Sequence, residues 1–316
     1  MHEPTYRQAL SHAWSLVWHN KILWVFGLLS IFMGQFGAND FIGKIWMIAR
    51  RTFVFGHMGG WFNLDLKTGL ALVWVAGIVI GMGILVAIIS LIAQGALITS
   101  AAESLRQKQI NLKRSWQRGV KHLGTVFIIN LLRALSMTLV VVGAGYAWTL
   151  LTSNFAPALW VNIISVILLS VALFLGLSIS SWSVYALCYS VLDGKGARNA
   201  IKRGWELFHR HLLVSLELNI LLFIVLLLIF AVFYGAFFLS VAPALIFWLI
   251  AGITGSLKLV TVGLVVWAAF LIVAIALVGA VYNAFSTSAW TYLFLRMHND
   301  GIASRVFHYL RKLINK

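Results

Sequence analysis

From Thr68 through Ala102 the chain carries no charged residue. A run that long exceeds the ~20 apolar residues that cross a bilayer's hydrocarbon as a helix, and water cannot solvate it. Backbone polar groups in lipid must be satisfied internally, so such a segment has to be a helix or part of a closed barrel. Barrel strands would be ~10 residues long with alternating polarity, and that pattern is absent here. The rest of the chain follows suit: of 316 residues, 61% are hydrophobic and only 10% charged, with mean hydropathy +0.95. The expected fold is all-α, a single polytopic transmembrane helical bundle filling residues 1–316.

Six spans are expected, at about 21–37, 69–101, 123–151, 157–192, 212–240 and 259–295. The first has no small-residue cleavage site after it and is read as a retained anchor. The run "SVAPALIFWLIAG" (240–252) is too short for a seventh span. It reads as an extension, an interfacial piece or a re-entrant turn after Pro243.

Charge sets the orientation. Of the 24 Lys and Arg, Lys44, Arg50, Arg51, Lys67 and Lys258 fall on one side of the spans and Arg133 falls within one. All the others lie on the opposite side, in the N-terminal arm, the 102–122 and 193–211 loops and the C-terminal end. The positive-inside rule then puts both termini in the cytoplasm, and an even number of spans agrees. The expected location is the cell (inner or plasma) membrane, as a multi-pass protein. The same rule accounts for the basic excess, with anionic headgroups at the cytoplasmic face as partners and no nucleic acid.

Two entrances to the membrane match. "KRSWQRGVKH" (113–122) and "KRGWELFHRH" (202–211) are each basic, carry a central Trp and end in His, and Asn130 and Asn219 follow eight residues on. Leu112, Trp116, Val120 and Leu123, like Ile201, Trp205, Phe208 and Leu212, recur at helical spacing. That predicts amphipathic interfacial helices with an apolar stripe in the membrane and Lys113, Arg114, Lys202 and Arg203 on phosphates. A third version occupies 6–21, with the stripe Tyr6, Leu10, Trp14 and Val17. Basic amphipathic helices are therefore expected before spans 1, 3 and 5, and a further one is expected at the C-terminal end. The chain reads as three units, each an interfacial helix followed by a membrane hairpin.

The passage "YALCYSVLDGKGARNAIKRGWELFHRHLLVSLELNILL" (185–222) resembles the membrane domain associated with some bacterial glycerophosphoryl diester phosphodiesterases. Asp193, Gly194, Gly196, Ala200, Lys202, Arg203, Trp205 and Leu207 fill that family's places, while Ile201 and Gly204 depart from it. Tyr292, Leu295 and Arg296 resemble its exit from the last span, with Asp300 before Gly301. The resemblance implies a membrane domain without the catalytic one, because the phosphodiesterase chemistry of fused relatives belongs to a separate soluble barrel.

Charged groups within spans are the first candidates for a site. Arg133 is expected near mid-bilayer and Glu217 about one turn into the fifth span. With Asn130 and Asn219 they form either a polar cavity that takes a lipid headgroup or an ion, or a structural pair with amides that join helices. Gln94, Asn162 and Asn283 read as helix-joining hydrogen bonders. Gly77-x-x-x-Gly81 offers a close-packing face, for intramolecular contact or for a second copy or another membrane protein. No metal centre or cofactor is expected. The lone Cys188 has no thiol partner, and His209 and His211 point to different faces of a helix. No G-x-S-x-G or H-E-x-x-H motif occurs. The expected role is a non-catalytic scaffold or accessory factor in envelope or lipid processes. The alternative is a transporter or lipid-handling protein using Arg133 and Glu217.

Overall fold

The computed structural model describes residues 5–31, 66–106, 110–152, 159–255 and 257–300. Among these residues there are helices and no strand: α1 (Thr5–His19), α2 (Ile22–Leu29), α3 (Leu66–Leu105), α4 (Leu112–Lys121), α5 (Leu123–Thr152), α6 (Leu159–Asp193), α7 (Ala197–Arg210), α8 (Leu212–Thr254) and α9 (Leu257–Asp300). Five of them, α3, α5, α6, α8 and α9, are long and apolar enough to cross a membrane. The expected first span is described only as far as residue 31. Of the stretch between the first two expected spans, 38–68, only 66–68 are described, as the start of α3, and the expected C-terminal basic helix lies outside the described residues.

The apolar helices run past the boundaries drawn from sequence. Pro243 does not end α8, which continues as one helix through Thr254, so 240–252 is an extension and no re-entrant turn. The helix closes at Gly255 with φ +64, the left-handed conformation that glycine adopts at least cost. Gly194, at φ +68, makes the corresponding turn between α6 and α7.

The three expected units are visible as a ring. Each has a short amphipathic helix (α1, α4, α7), then an outgoing helix (α2, α5, α8) and a returning one (α3, α6, α9). α4 lies on α3, α7 lies on α6, and α1 lies on α9, so the last returning helix is covered by the first amphipathic one. Outgoing helices likewise neighbour the preceding unit's returning helix, α5 with α3, α8 with α6 and α2 with α9. The returning helices meet one another between them.

Between amphipathic and outgoing helix the chain makes a tight elbow, at Asn20–Lys21, His122 and His211. Neither His adopts helical ψ, yet hydrogen bonds continue across, from Val126 N–H to His122 O at 2.9 Å and from Ser215 N–H to His211 O at 3.0 Å. The packed core sits at this elbow end. Buried side chains on the returning helices cluster at 90–103, 178–191 and 280–297. The far halves expose apolar residues such as Ile78, Leu139, Ile163, Val232 and Phe270.

Each amphipathic helix packs along an edge beside its expected apolar stripe, sharing only some of the stripe's residues, such as Val17 and Phe208. The face that is buried runs through Ala9, Ala13 and Leu16, through Ser115 and Gly119, and through Ala200, Gly204 and Leu207. In all three helices the residue just before the Trp is small and buried. Trp14 and Trp205 themselves are 52% and 49% exposed, and Leu112 and Val120 are exposed as well. Backbones approach closely on the small face, and the larger side chains of Trp14, Leu112, Val120 and Trp205 stay on the outside. A Cβ on Gly119 would overlap the Ile92 carbonyl, and one on Gly204 would sit 2.8 Å from Ala186 N. A Cβ at Gly77 or Gly81 would meet nothing within 4 Å among the described residues.

Gly119→Ala and Gly204→Ala should each cost about 1–3 kcal/mol by overpacking against backbone. Gly81→Ala should be neutral or slightly stabilising, because a helix-interior Gly costs up to ~1 kcal/mol relative to Ala. Thermal unfolding of the three variants in one detergent checks this order.

Candidate functional site

Buried amide side chains in the apolar helices make one bridge at each unit boundary. Asn130 on α5 donates to Gln94 Oε1 on α3 at 2.8 Å, and to its own helix at Val126 O. Asn219 on α8 donates to Ser181 Oγ on α6, with Leu177 O at 3.4 Å. Asn283 on α9 donates to Ser30 Oγ at 2.8 Å and to Gly27 O at 3.0 Å, at the end of α2. Each bridge links a returning helix to the next unit's outgoing helix, and the third closes the ring. Gln94 and Asn283 thus join helices as expected.

Arg133 and Glu217 are half-buried on α5 and α8, and each is already engaged by neighbouring groups. Asn130 turns to α3 and Asn219 to α6, so the two amides do not face each other. α5 packs chiefly on α6 and α3, whereas α8 packs chiefly on α9 and α6. Among the described residues no group of three or more His, Cys, Asp or Glu is placed to hold a metal ion.

The two basic elbows, so alike in sequence, differ in what their cations do. On α4, Arg118 and Arg114 lie 3.5 and 3.8 Å from Glu103 Oε1 at the end of α3, and Glu103 has only 8% of its side chain exposed. Nearby, Ser100 Oγ and Ser115 Oγ are 2.9 Å apart. An Arg pair over a nearly buried carboxylate is structural: removing both Arg side chains would leave the Glu103 charge uncompensated. Lys113 is exposed and Trp116 half-buried. No sequence motif marked Glu103; the signal was an acidic residue at the end of a span that faces a helix rich in Arg.

On α7 the cations have no such partner within the helix pair. Lys202 and Arg203 are exposed and line an open pocket of about 390 Å³ with Lys195, Asn199 and Glu206. Lys195 is fixed by its neighbours. Its ammonium donates to Asp193 Oδ2 at 3.0 Å and stands 4.7 Å from the centre of the Tyr189 ring. Trp205 leaves the protein one turn along, packed edge-on against His209.

His122, at the elbow between α4 and α5, abuts the α6–α7 turn: a Cβ at Gly194 would lie 3.9 Å from its Cε1. Partial burial lowers its pKa below the usual 6.5, and the charges of Lys121 and Arg118 lower it further.

The chain matches no protein-family model, no curated protein and no solved structure.

Two outcomes follow from this geometry. A double-mutant cycle on Gln94→Leu and Asn130→Leu should show a coupling of about 1 kcal/mol, the usual worth of an interhelical amide pair. His122 binds its proton less readily in the fold than in the unfolded chain. Its contribution is therefore complete above about pH 6.5 and is lost as pH falls towards the lowered folded pKa. Melting curves between pH 8 and 5 should show that slope, and His122→Gln should flatten it.

Proposed function

We propose that this chain is a non-catalytic membrane protein of the bacterial inner membrane, with six spans and both termini cytoplasmic. In this reading it acts as a scaffold or accessory factor in envelope or lipid processes. The observation that carries the reading is the use of the buried amides. The amide N–H groups of Asn130, Asn219 and Asn283 donate across helix boundaries, the first to Gln94 Oε1, and these bonds tie the helices into one body.

Side-chain placement supports the membrane reading. Trp14, Trp18 and Trp205 are exposed at the elbow end, and Trp74, Tyr146, Trp160 and Tyr234 are exposed towards the other. Tyr146 and Tyr234 lie some two dozen residues beyond His122 and His211, about 35 Å at 1.5 Å per residue. That separation suits two aromatic belts flanking a hydrocarbon layer of ~30 Å. With the basic faces of α4 and α7 at the elbow end, that end is cytoplasmic and its partners are anionic headgroups. The resemblance to the phosphodiesterase-associated membrane domain fits a role beside lipid metabolism, and the exposed Gly77 and Gly81 face suits a second copy or another membrane protein.

Arg133 and Glu217 favour the second reading, transport or lipid handling, because two ionisable groups within apolar helices are costly to keep. Proteoliposomes separate the two. Under the scaffold reading, full-length protein in phosphatidylethanolamine and phosphatidylglycerol vesicles scrambles labelled lipid no faster than empty vesicles do. Scrambling that Arg133→Leu abolishes would replace the scaffold with lipid handling. For orientation, on a Cys188→Ala background, Lys258→Cys should react with an impermeant maleimide in intact cells and Lys195→Cys only after permeabilisation. The reverse pattern would overturn the topology.

A further inference from the structure

We propose that the pocket at the α6–α7 turn is a binding site for the phosphate of an anionic phospholipid headgroup. It takes Lys195, Lys202 and Arg203 as its cations and Asn199 as a neutral hydrogen-bond donor. The inference rests on the membrane reading above and sharpens it, from a general basic surface to one site on one of two nearly identical elbows.

Three observations lead there. The first is the contrast between the elbows. Both sequences carry the Lys-Arg pair before Trp, but Arg114 and Arg118 of α4 already serve Glu103. On α7, Lys202 and Arg203 share the pocket with a third cation from the preceding turn. The second is preorganisation. Lys195 has only 21% of its side chain exposed and is held by Asp193 and the Tyr189 ring, so little rotamer entropy is lost when it meets a phosphate. Asp193 accepts from that ammonium through Oδ2, and the remaining Lys protons are free to reach a second acceptor. Arg203 adds a planar fork suited to paired phosphate oxygens.

The third is place and size. Trp205, half exposed one turn along the same helix, is the residue type that sits at headgroup depth. A pocket of about 390 Å³ has room for roughly thirteen waters at ~30 Å³ each, more than a bare phosphate needs and suited to a phosphate with its polar substituent.

Glu206 makes the proposal sharp. It is the one acidic residue lining the pocket and would repel a phosphate, holding affinity down. Removing it should therefore strengthen binding, whereas a merely structural role for the cluster predicts no gain.

The test titrates dioleoyl phosphatidylglycerol into the full chain in a neutral detergent, with native mass spectrometry counting bound lipid and dioleoyl phosphatidylcholine as reference. Binding there does not depend on orientation, so it is independent of the topology experiment. The site predicts preference for the anionic lipid, a loss of about tenfold or more in Lys202→Gln/Arg203→Gln from two cations near a phosphate, and a gain of a few-fold in Glu206→Gln. Lys113→Gln on α4, outside the pocket, should lose no more than the diffuse attraction of one surface charge, well short of tenfold, and all variants should melt within a degree or two of the parent. Inorganic phosphate at millimolar level should compete weakly. If it displaces the lipid fully and binds as tightly, the site takes free phosphate and the headgroup assignment fails. Equal binding by the Lys202/Arg203 variant and the parent, or a loss matched by Lys113→Gln, overturns the site and leaves only diffuse basic attraction. If Lys202→Gln/Arg203→Gln is unstable, Glu206→Gln decides alone: unchanged or weaker binding rejects the proposal.

Discussion

Everything in this fold depends on how closely each amphipathic helix can approach the returning helix beneath it. Gly119 lies on the backbone of α3 at Ile92 and Ala96, and Gly204 lies on that of α6 at Ala186. Ala13, at the place before Trp14 that Ser115 and Gly204 hold in their helices, is buried in turn. Small residues there let two helices touch along their main chains, which fixes the direction in which the chain leaves each elbow. Once α4 and α7 are seated, the outgoing helices start beside the preceding returning helix, where Asn130 reaches Gln94 and Asn219 reaches Ser181. A larger residue at one of these contacts would displace the elbow, and with it a whole span.

The helical class, the apolar segments and the threefold unit were legible in the sequence, because lipid solvation leaves little choice about backbone structure. The amphipathic helices were legible too, but the small-residue edge on which they pack was not. The stripe through Leu112, Trp116 and Val120 was expected to face the membrane, and Leu112 and Val120 are exposed; spacing did not mark the edge beside it, through Ser115 and Gly119, that packs on α3. That division has a physical reason. In water the largest apolar residues go inward, whereas beside a bilayer they have a second apolar phase to face, so the inward side can be chosen for closeness of approach. The course of α8 through Pro243 was equally hidden. Proline cannot donate a hydrogen bond, and no local rule says whether a helix bends around it or stops.

The candidate site divides along the same line. That Asn130 and Asn219 occupy matching places was plain from their spacing after His122 and His211. That each serves a different boundary of the ring could not be seen, because the partners come from α3 and α6, far away in sequence. Glu103 went unmarked for a similar reason: only the seating of α4 on α3 brings Arg114 and Arg118 to it. Local sequence identifies what a side chain can do, and the ring decides which neighbour it does it with.

Three related units also supply a way to separate structure from function inside one chain. Features present at all three boundaries, the small residue before Trp and the amide or hydroxyl bridge, are what any unit needs to join its neighbour. Features present in one unit are free of that duty. Glu103 beneath two Arg side chains belongs to the first boundary, and the cationic pocket with its fixed Lys195 belongs to the second. Arg133 lies within the second unit and Glu217 within the third. The copies agree where helices must pack and differ where charge is placed. A phosphate-bearing ligand would read that difference, since the basic stretches of α4 and α7 are alike in composition and opposite in use.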